Sequence, residues 1–157
     1  MKNRLGITVL GVVVIAAALQ VFPGEHPGNP AVEEEIAAPP EVMSVMRRAC
    51  YDCHSHETAW PWYSRIAPVS WLVRRDVREG RRHLNFSAWN RYDPERRAHK
   101  LEELGEEVEK GAMPMKIYLT LHGDAKLTDA ERALLVDWAE QAMREVAPAE
   151  TAPLAGN

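Results

Sequence analysis

The sequence predicts an all-α fold, and three observations carry the prediction. Apolar residues recur at three- and four-residue spacing in several separate stretches. Those stretches open on helix-start residues such as Asp93-Pro94 and Thr128-Asp129-Ala130-Glu131. No alternating apolar–polar run of strand length rises above background.

Taken in order, the first element is an apolar run from Leu5 to Phe22, preceded by Lys2 and Arg4. It reads as a secretory signal or a signal anchor. A spanning helix needs about 17–25 apolar residues, so this run is borderline in length. Ala16, Ala17 and Ala18 offer a cleavage site, but Leu19, Gln20, Val21 and Phe22 prolong the apolar stretch. The expectation is an uncleaved single-pass anchor helix over residues 1–22, the alternative being a cleaved signal. Basic residues before the run hold that end in the cytoplasm and export the remainder.

Residues 23–40 combine proline, glycine and glutamate, with Glu33-Glu34-Glu35 and Pro39-Pro40. They read as a linker that holds a domain semi-stiffly off the membrane. Residues 148–157 read as a disordered tail of small residues and proline. Residues 41–147 remain, about a hundred residues and enough for one small domain.

Within that domain, Glu41 to Ala49 carries Val42, Val45, Met46 and Ala49 on one face, with Pro40 at its first turn. A second helix starts near Pro68, with Val69, Leu72, Val73 and Val77 inward and Gly80 just past its end. Asp93-Pro94 opens a third through Leu101, Leu104 and Val108 to Gly111, aspartate serving as cap. The fourth begins with a capping box at Thr128 and Glu131 and continues through Leu134, Leu135, Trp138 and Ala142. The net charge of −4 is mild and gives nucleic-acid binding no support.

The first helix of the domain leads directly into Cys50-Tyr51-Asp52-Cys53-His54, which holds the only two cysteines of the chain. Cys-x-x-Cys-His is the attachment signature of a c-type haem. The two thiols add to the haem vinyl groups, and the histidine becomes the proximal iron ligand. A zinc site would need further ligands at good spacing, and here only scattered histidines remain. A thioredoxin-like dithiol would need strand–helix alternation, which is missing. A structural disulfide is the next reading, and the adjacent His54 decides against it. The cofactor expected is therefore one haem c, covalently bound through Cys50 and Cys53.

Met113 and Met115 flank Pro114 in a loop between the third and fourth helices. Proline's fixed φ and missing N–H keep such a loop out of a helix. Methionine with histidine raises the reduction potential of haem iron, and Met113 is the expected sixth ligand. Met115, His83 and His122 are alternatives, as is an open sixth position. His56 lies too close to His54 to reach the opposite face, and His99 sits in a highly charged helix. Aromatic residues follow the motif at Trp60, Trp62, Tyr63, Trp71, Phe86, Trp89 and Tyr92. Most read as ordinary core, with one or two against the haem. Arg74, Arg75, Arg78, Arg81 and Arg82 form a basic stretch suited to haem propionates or an acidic partner, or simply a solvated face. Glu102, Glu103, Glu106, Glu107 and Glu109 give the third helix an acidic side.

On these residues the chain resembles the haem-binding domain family of small bacterial membrane-anchored, single-haem c-type cytochromes. The likeness runs from about Pro39 to Ala147. It is carried by Cys50 to Ser55, Pro61-Trp62-Tyr63-Ser64, Ala67-Pro68-Val69-Ser70-Trp71 and Gly80 to Trp89. Met113-Pro114, Tyr118, His122 and Leu127-Thr128 complete it. The resemblance implies a cytochrome c-like helical domain, periplasmic exposure, covalent haem and electron transfer. Such domains often carry histidine where this chain has Asp76, and a second proline where it has Met115.

The function expected is a periplasmic, membrane-tethered carrier of single electrons between redox partner proteins, rather than an enzyme. A haem-based sensor or a peroxidase-like enzyme with an open sixth position is the alternative. No distal acid–base pair stands out in support of catalysis.

Overall fold

The computed structural model describes residues 2–21 and 25–147. The ends of the expected anchor and the start of the linker (Phe22 to Gly24), with the tail at 148–157, lie outside them. Among the described residues the chain forms seven α-helices and no strand beyond a single bridge between Glu34 and Ala88. The all-α expectation holds.

Helix α1 runs from Lys2 to Gln20. Val12, Val13, Val14 and Ile15 are all exposed, so four successive positions present apolar groups on every side of the helix. Whether α1 spans a membrane, as the sequence leads one to expect, is a separate matter. Among the described residues no helix is long and apolar enough to cross a membrane. The far end of α1 touches the domain, where the Gln20 side-chain amide donates to the Ala67 carbonyl and accepts from the Ala67 N–H, each at 3.1 Å.

Residues 25–39 do not hold the domain at a distance. They lie along it, and the acidic triplet explains why. Glu33 pairs with Arg91, Glu34 with Arg97, and Glu35 with Arg47 while accepting from the Tyr51 hydroxyl. Exposed ion pairs contribute little singly. Here they flank backbone bonds from Glu33 N–H to the Ser87 carbonyl and from Ile36 N–H to the Phe86 carbonyl. Ile36 is buried in the core as a result. An Arg81 guanidinium completes the clasp, donating to the carbonyls of Ser55 and Gly28 and to Asn29 and Thr58. The charge run that reads as a solvated linker is an ordered strap.

Helix α2, Pro40–Ala49, buries Val42, Val45, Met46 and Ala49 as its spacing predicts. Helix α3 is a single turn, Tyr51–His54. Helix α4, Val69–His83, departs from expectation in two ways. It continues past Gly80, and it buries Ser70, Arg74 and Val77 rather than its whole valine–leucine face. Val69 and Leu72 stay exposed.

Helix α5, Pro94–Glu109, is capped by Asp93, whose carboxylate accepts from Arg96 N–H at 2.8 Å. A short helix α6, Lys116–Leu119, precedes α7, Asp129–Val146, whose capping box at Thr128 and Glu131 forms as expected. The α5–α7 pair is the most extensive packing in the domain. Leu101, Leu104 and Val108 meet Leu135 and Ala139 there, and Gly105 faces Ala139 directly. Burying a leucine-sized side chain contributes about 1.5–3 kcal/mol, so this seam is a stable platform in its own right.

Candidate haem site

The two cysteines and the histidine are brought together by one helical turn. Cys53 and His54 N–H groups both donate to the Cys50 carbonyl, at 3.2 and 3.0 Å. That turn delivers Cys50, Cys53 and His54 to the wall of a cavity of about 500 Å³. The volume falls within the range of about 300–1,000 Å³ typical of small-molecule and cofactor sites. Both thiols are free, and burial pushes each up to about 12, so they are uncharged.

The His54 imidazole is oriented by its other nitrogen. Nδ1–H donates to the Leu84 carbonyl at 3.0 Å, which leaves Nε2 as the nitrogen available to a metal. Burial pushes its pKa below the ordinary histidine value, so the ring stays neutral and keeps its lone pair.

Gly80 makes this geometry possible. A Cβ at that position would lie 2.5 Å from the Cys53 carbonyl oxygen and 3.1 Å from Cys53 Cβ. Glycine is therefore not an end marker here; it lets α4 lie directly against the cysteine turn. Phe86, wholly buried, supplies an aromatic wall and stacks on Tyr51 with centroids 5.4 Å apart.

The opposite side is built by the end of α5 and the loop after it. Gly111 takes φ +68°, and the N–H groups of Ala112 and Met113 both donate to the Glu107 carbonyl, at 3.0 and 3.1 Å. This turn satisfies the open end of α5 and sends Met113, Pro114 and Met115 along the cavity. The histidine alternatives separate clearly. His83 lines the cavity. His122 instead donates from Nδ1 to the Tyr118 carbonyl, accepts at Nε2 from the Tyr63 hydroxyl, and stacks on Tyr118 at 4.0 Å. His56 has both nitrogens committed, to the Ala31 carbonyl and the Asn85 amide. His99 faces Glu102 and Glu103.

The arginine stretch does not line the cavity. Arg81 is spent on the strap and Arg82 on Glu79. The rim carries Asp76, Glu79, Glu103, Glu106 and Glu107, with Lys100 as a cation and His83 beside them. Burial raises the Asp76 carboxyl above the usual carboxylate range, with Arg75 opposing, while the bond from Lys100 holds Glu103 below it.

Two positioning residues have no signature in the sequence. Asp52, between the cysteines, accepts from the Ala59 N–H at 2.8 Å and from the Tyr118 hydroxyl at 2.7 Å. It ties α6 and the following loop to the cysteine turn. Leu84 acts through its carbonyl, and it also lines the cavity.

A helical domain with a cavity of about 500 Å³ edged by paired cysteines, a neutral histidine and two methionines belongs to the class of cofactor-binding helical domains. The chain belongs to the haem-binding domain family, whose profile matches residues 11–141. No curated protein and no solved structure matches it. The match takes in residues 25–39, in keeping with their packing against the domain. Haem also fits the site on its own terms. The cavity is large and mainly apolar, one imidazole nitrogen is left unused within it, and thioether sulfurs line the same wall set.

Proposed function

We propose that the protein is a mono-haem c-type cytochrome that passes single electrons between partner proteins, tethered to the membrane through α1 with its domain in the periplasm. The observation that carries this reading is the fixed His54 imidazole beside two cysteine thiols on one cavity wall. When bound, haem supplies an iron that changes oxidation state by one electron. The residues of the chain do the rest. Cys50 and Cys53 would hold the porphyrin by thioether bonds, and His54 Nε2 would ligate the iron. Met113 would supply the second iron ligand, with Met115 and His83 as the remaining cavity-lining donors. Two retained ligands favour electron transfer over catalysis, because the coordination shell changes little between oxidation states. The apolar surface of α1 on every side supports the tether, since water is a poor solvent for such a helix.

Optical spectra of the oxidised and reduced protein test this directly. The expected result is a far-red thioether–iron band in the oxidised form, lost in Met113→Ala, and refusal of carbon monoxide by the reduced form. Ready carbon monoxide binding by wild type points instead to a sensor or peroxidase with an open iron position. The glutamate-rich rim also implies a basic partner surface, so electron transfer with that partner is expected to slow as salt is raised.

A further inference from the structure

A second, smaller groove of about 240 Å³ adjoins the haem cavity and shares Asp52, Cys53, Asp76, Met115 and Tyr118 with it. Its walls are the N-terminal half of α4, through Val69, Leu72, Val73 and Val77, and the α6 segment, through Ile117 and Leu121. Asp52, Asp76 and His122 also line it, on its haem-cavity side and at its rim, and no lysine, arginine or glutamate does. Around it, Trp62 is 75% exposed, Leu121 68% and Ile117 60%, with Ile66, Val69 and Leu72 also open. A contiguous apolar face of this kind marks an interaction surface. Of the α4 face that the sequence places inward, Val77 is buried, while Val69 and Leu72 stay exposed.

What covers it is indicated by α1. The Gln20 amide is bonded to both backbone groups of Ala67, between exposed Ile66 and Val69. The apolar helix therefore ends at this face, and the strap over residues 25–39 keeps the domain from swinging away on a spacer. A helix held in the bilayer keeps the part that flanks its end at headgroup level. The flanking part here carries an exposed tryptophan, a residue favoured at headgroup level. Exposed Arg65 and Lys116 stand next to Ile66 and Ile117 in the chain, where they meet anionic headgroups.

We propose that this face is a lipid-docking surface. The Trp62–Ile66–Val69–Leu72 edge and the Ile117–Leu121 edge rest in the headgroup region of the bilayer that holds α1. The Cys53–Met115 side of the haem cavity then faces the membrane surface, and the α5 glutamates lie off the lipid contact. The proposal rests on the membrane tether read above, and the test separates the two.

Full-length haem-loaded protein is placed in vesicles of equal parts phosphatidylethanolamine and phosphatidylglycerol. Nitroxide labels are attached to single introduced cysteines, Val13→Cys, Ile117→Cys, Leu121→Cys and, as control, Glu140→Cys on α7. Each label is read for collision with oxygen and with a water-soluble nickel chelate, and only variants with an unchanged haem spectrum are scored. The expected result is lipid-like exposure at positions 13, 117 and 121, with nickel collision reduced severalfold relative to position 140. Lipid exposure at 13 with free nickel access at 117 and 121 overturns the docking while leaving the tether standing. Nickel access at 13 overturns both. Labels at 117 and 121 shielded from both reagents mean a protein covers the face, and lipid exposure at 140 means unoriented adsorption; either result overturns the proposal.

Discussion

The α5–α7 seam and the α3–α4 contact are the two main supports of the domain, and they are built on opposite principles. At the seam, Leu101, Leu104, Val108, Leu135 and Ala139 fill the space between the helices with their own side chains. At the α3–α4 contact the backbones meet at Gly80 and Cys53, and beyond that contact stands a cavity of about 500 Å³. One half is stable by packing. The other half is shaped for something the chain itself does not supply, and haem is what fits it. Stability and function are thus divided between two sides of one small domain.

Changes at the cysteine turn are expected to break that division most severely. On the proposed reading, Cys50→Ser combined with Cys53→Ser removes both thioether bonds to haem. Amide exchange is then expected to speed up through α4 and the Met113 loop while α5 and α7 keep their protection, as followed by hydrogen-exchange mass spectrometry. Equal loss in both halves contradicts the comparison. Phe86→Ala, on the cavity side, is expected to cost about 3–5 kcal/mol and to impair haem retention, by urea unfolding and haem absorbance. Leu135→Ala, on the seam, is expected to cost about 2–5 kcal/mol while leaving the haem spectrum unchanged.

Gly80→Ala is a sharper probe, because it adds one carbon where 2.5 Å is available. Overpacking of this kind costs about 1–3 kcal/mol, and its mark here is reduced haem incorporation with the seam intact. The smallest effect is expected at the α7 cap, where Thr128→Ala costs about 1 kcal/mol with no spectral change. The cap also sets a pH dependence. Bonds from the Thr128 N–H and hydroxyl, with Arg48 nearby, hold the Glu131 carboxyl below its ordinary value. Its contribution is therefore present above the usual carboxylate range and lost as pH falls through the lowered value. Glu131→Gln is expected to flatten that acid-side decline in urea midpoints measured across pH.

Much of this was legible in the residues, and the exceptions have physical causes. Val42, Val45, Met46 and Ala49 follow helical spacing into the core, and the Asp93 and Thr128 caps form because capping is local chemistry. Cys50, Cys53, His54 and Met113 all reach one cavity for the same reason: a short motif and a proline loop fix their own backbone. Gly80 misleads because its role is a contact with Cys53, far off in sequence. The Glu33–Glu35 run misleads because its partners, Arg91, Arg97 and Arg47, are equally distant. Asp52 and Tyr118 meet only once the chain has folded. Apolar periodicity on α4 marks a face correctly but not what lies against it.

The central claim is that the cavity half of the domain is built around a haem bonded to Cys50 and Cys53. Acid–acetone extraction of the purified protein, followed by absorbance of both fractions, tests it most directly. The account predicts that haem stays with the denatured polypeptide; recovery of haem in the solvent would contradict it.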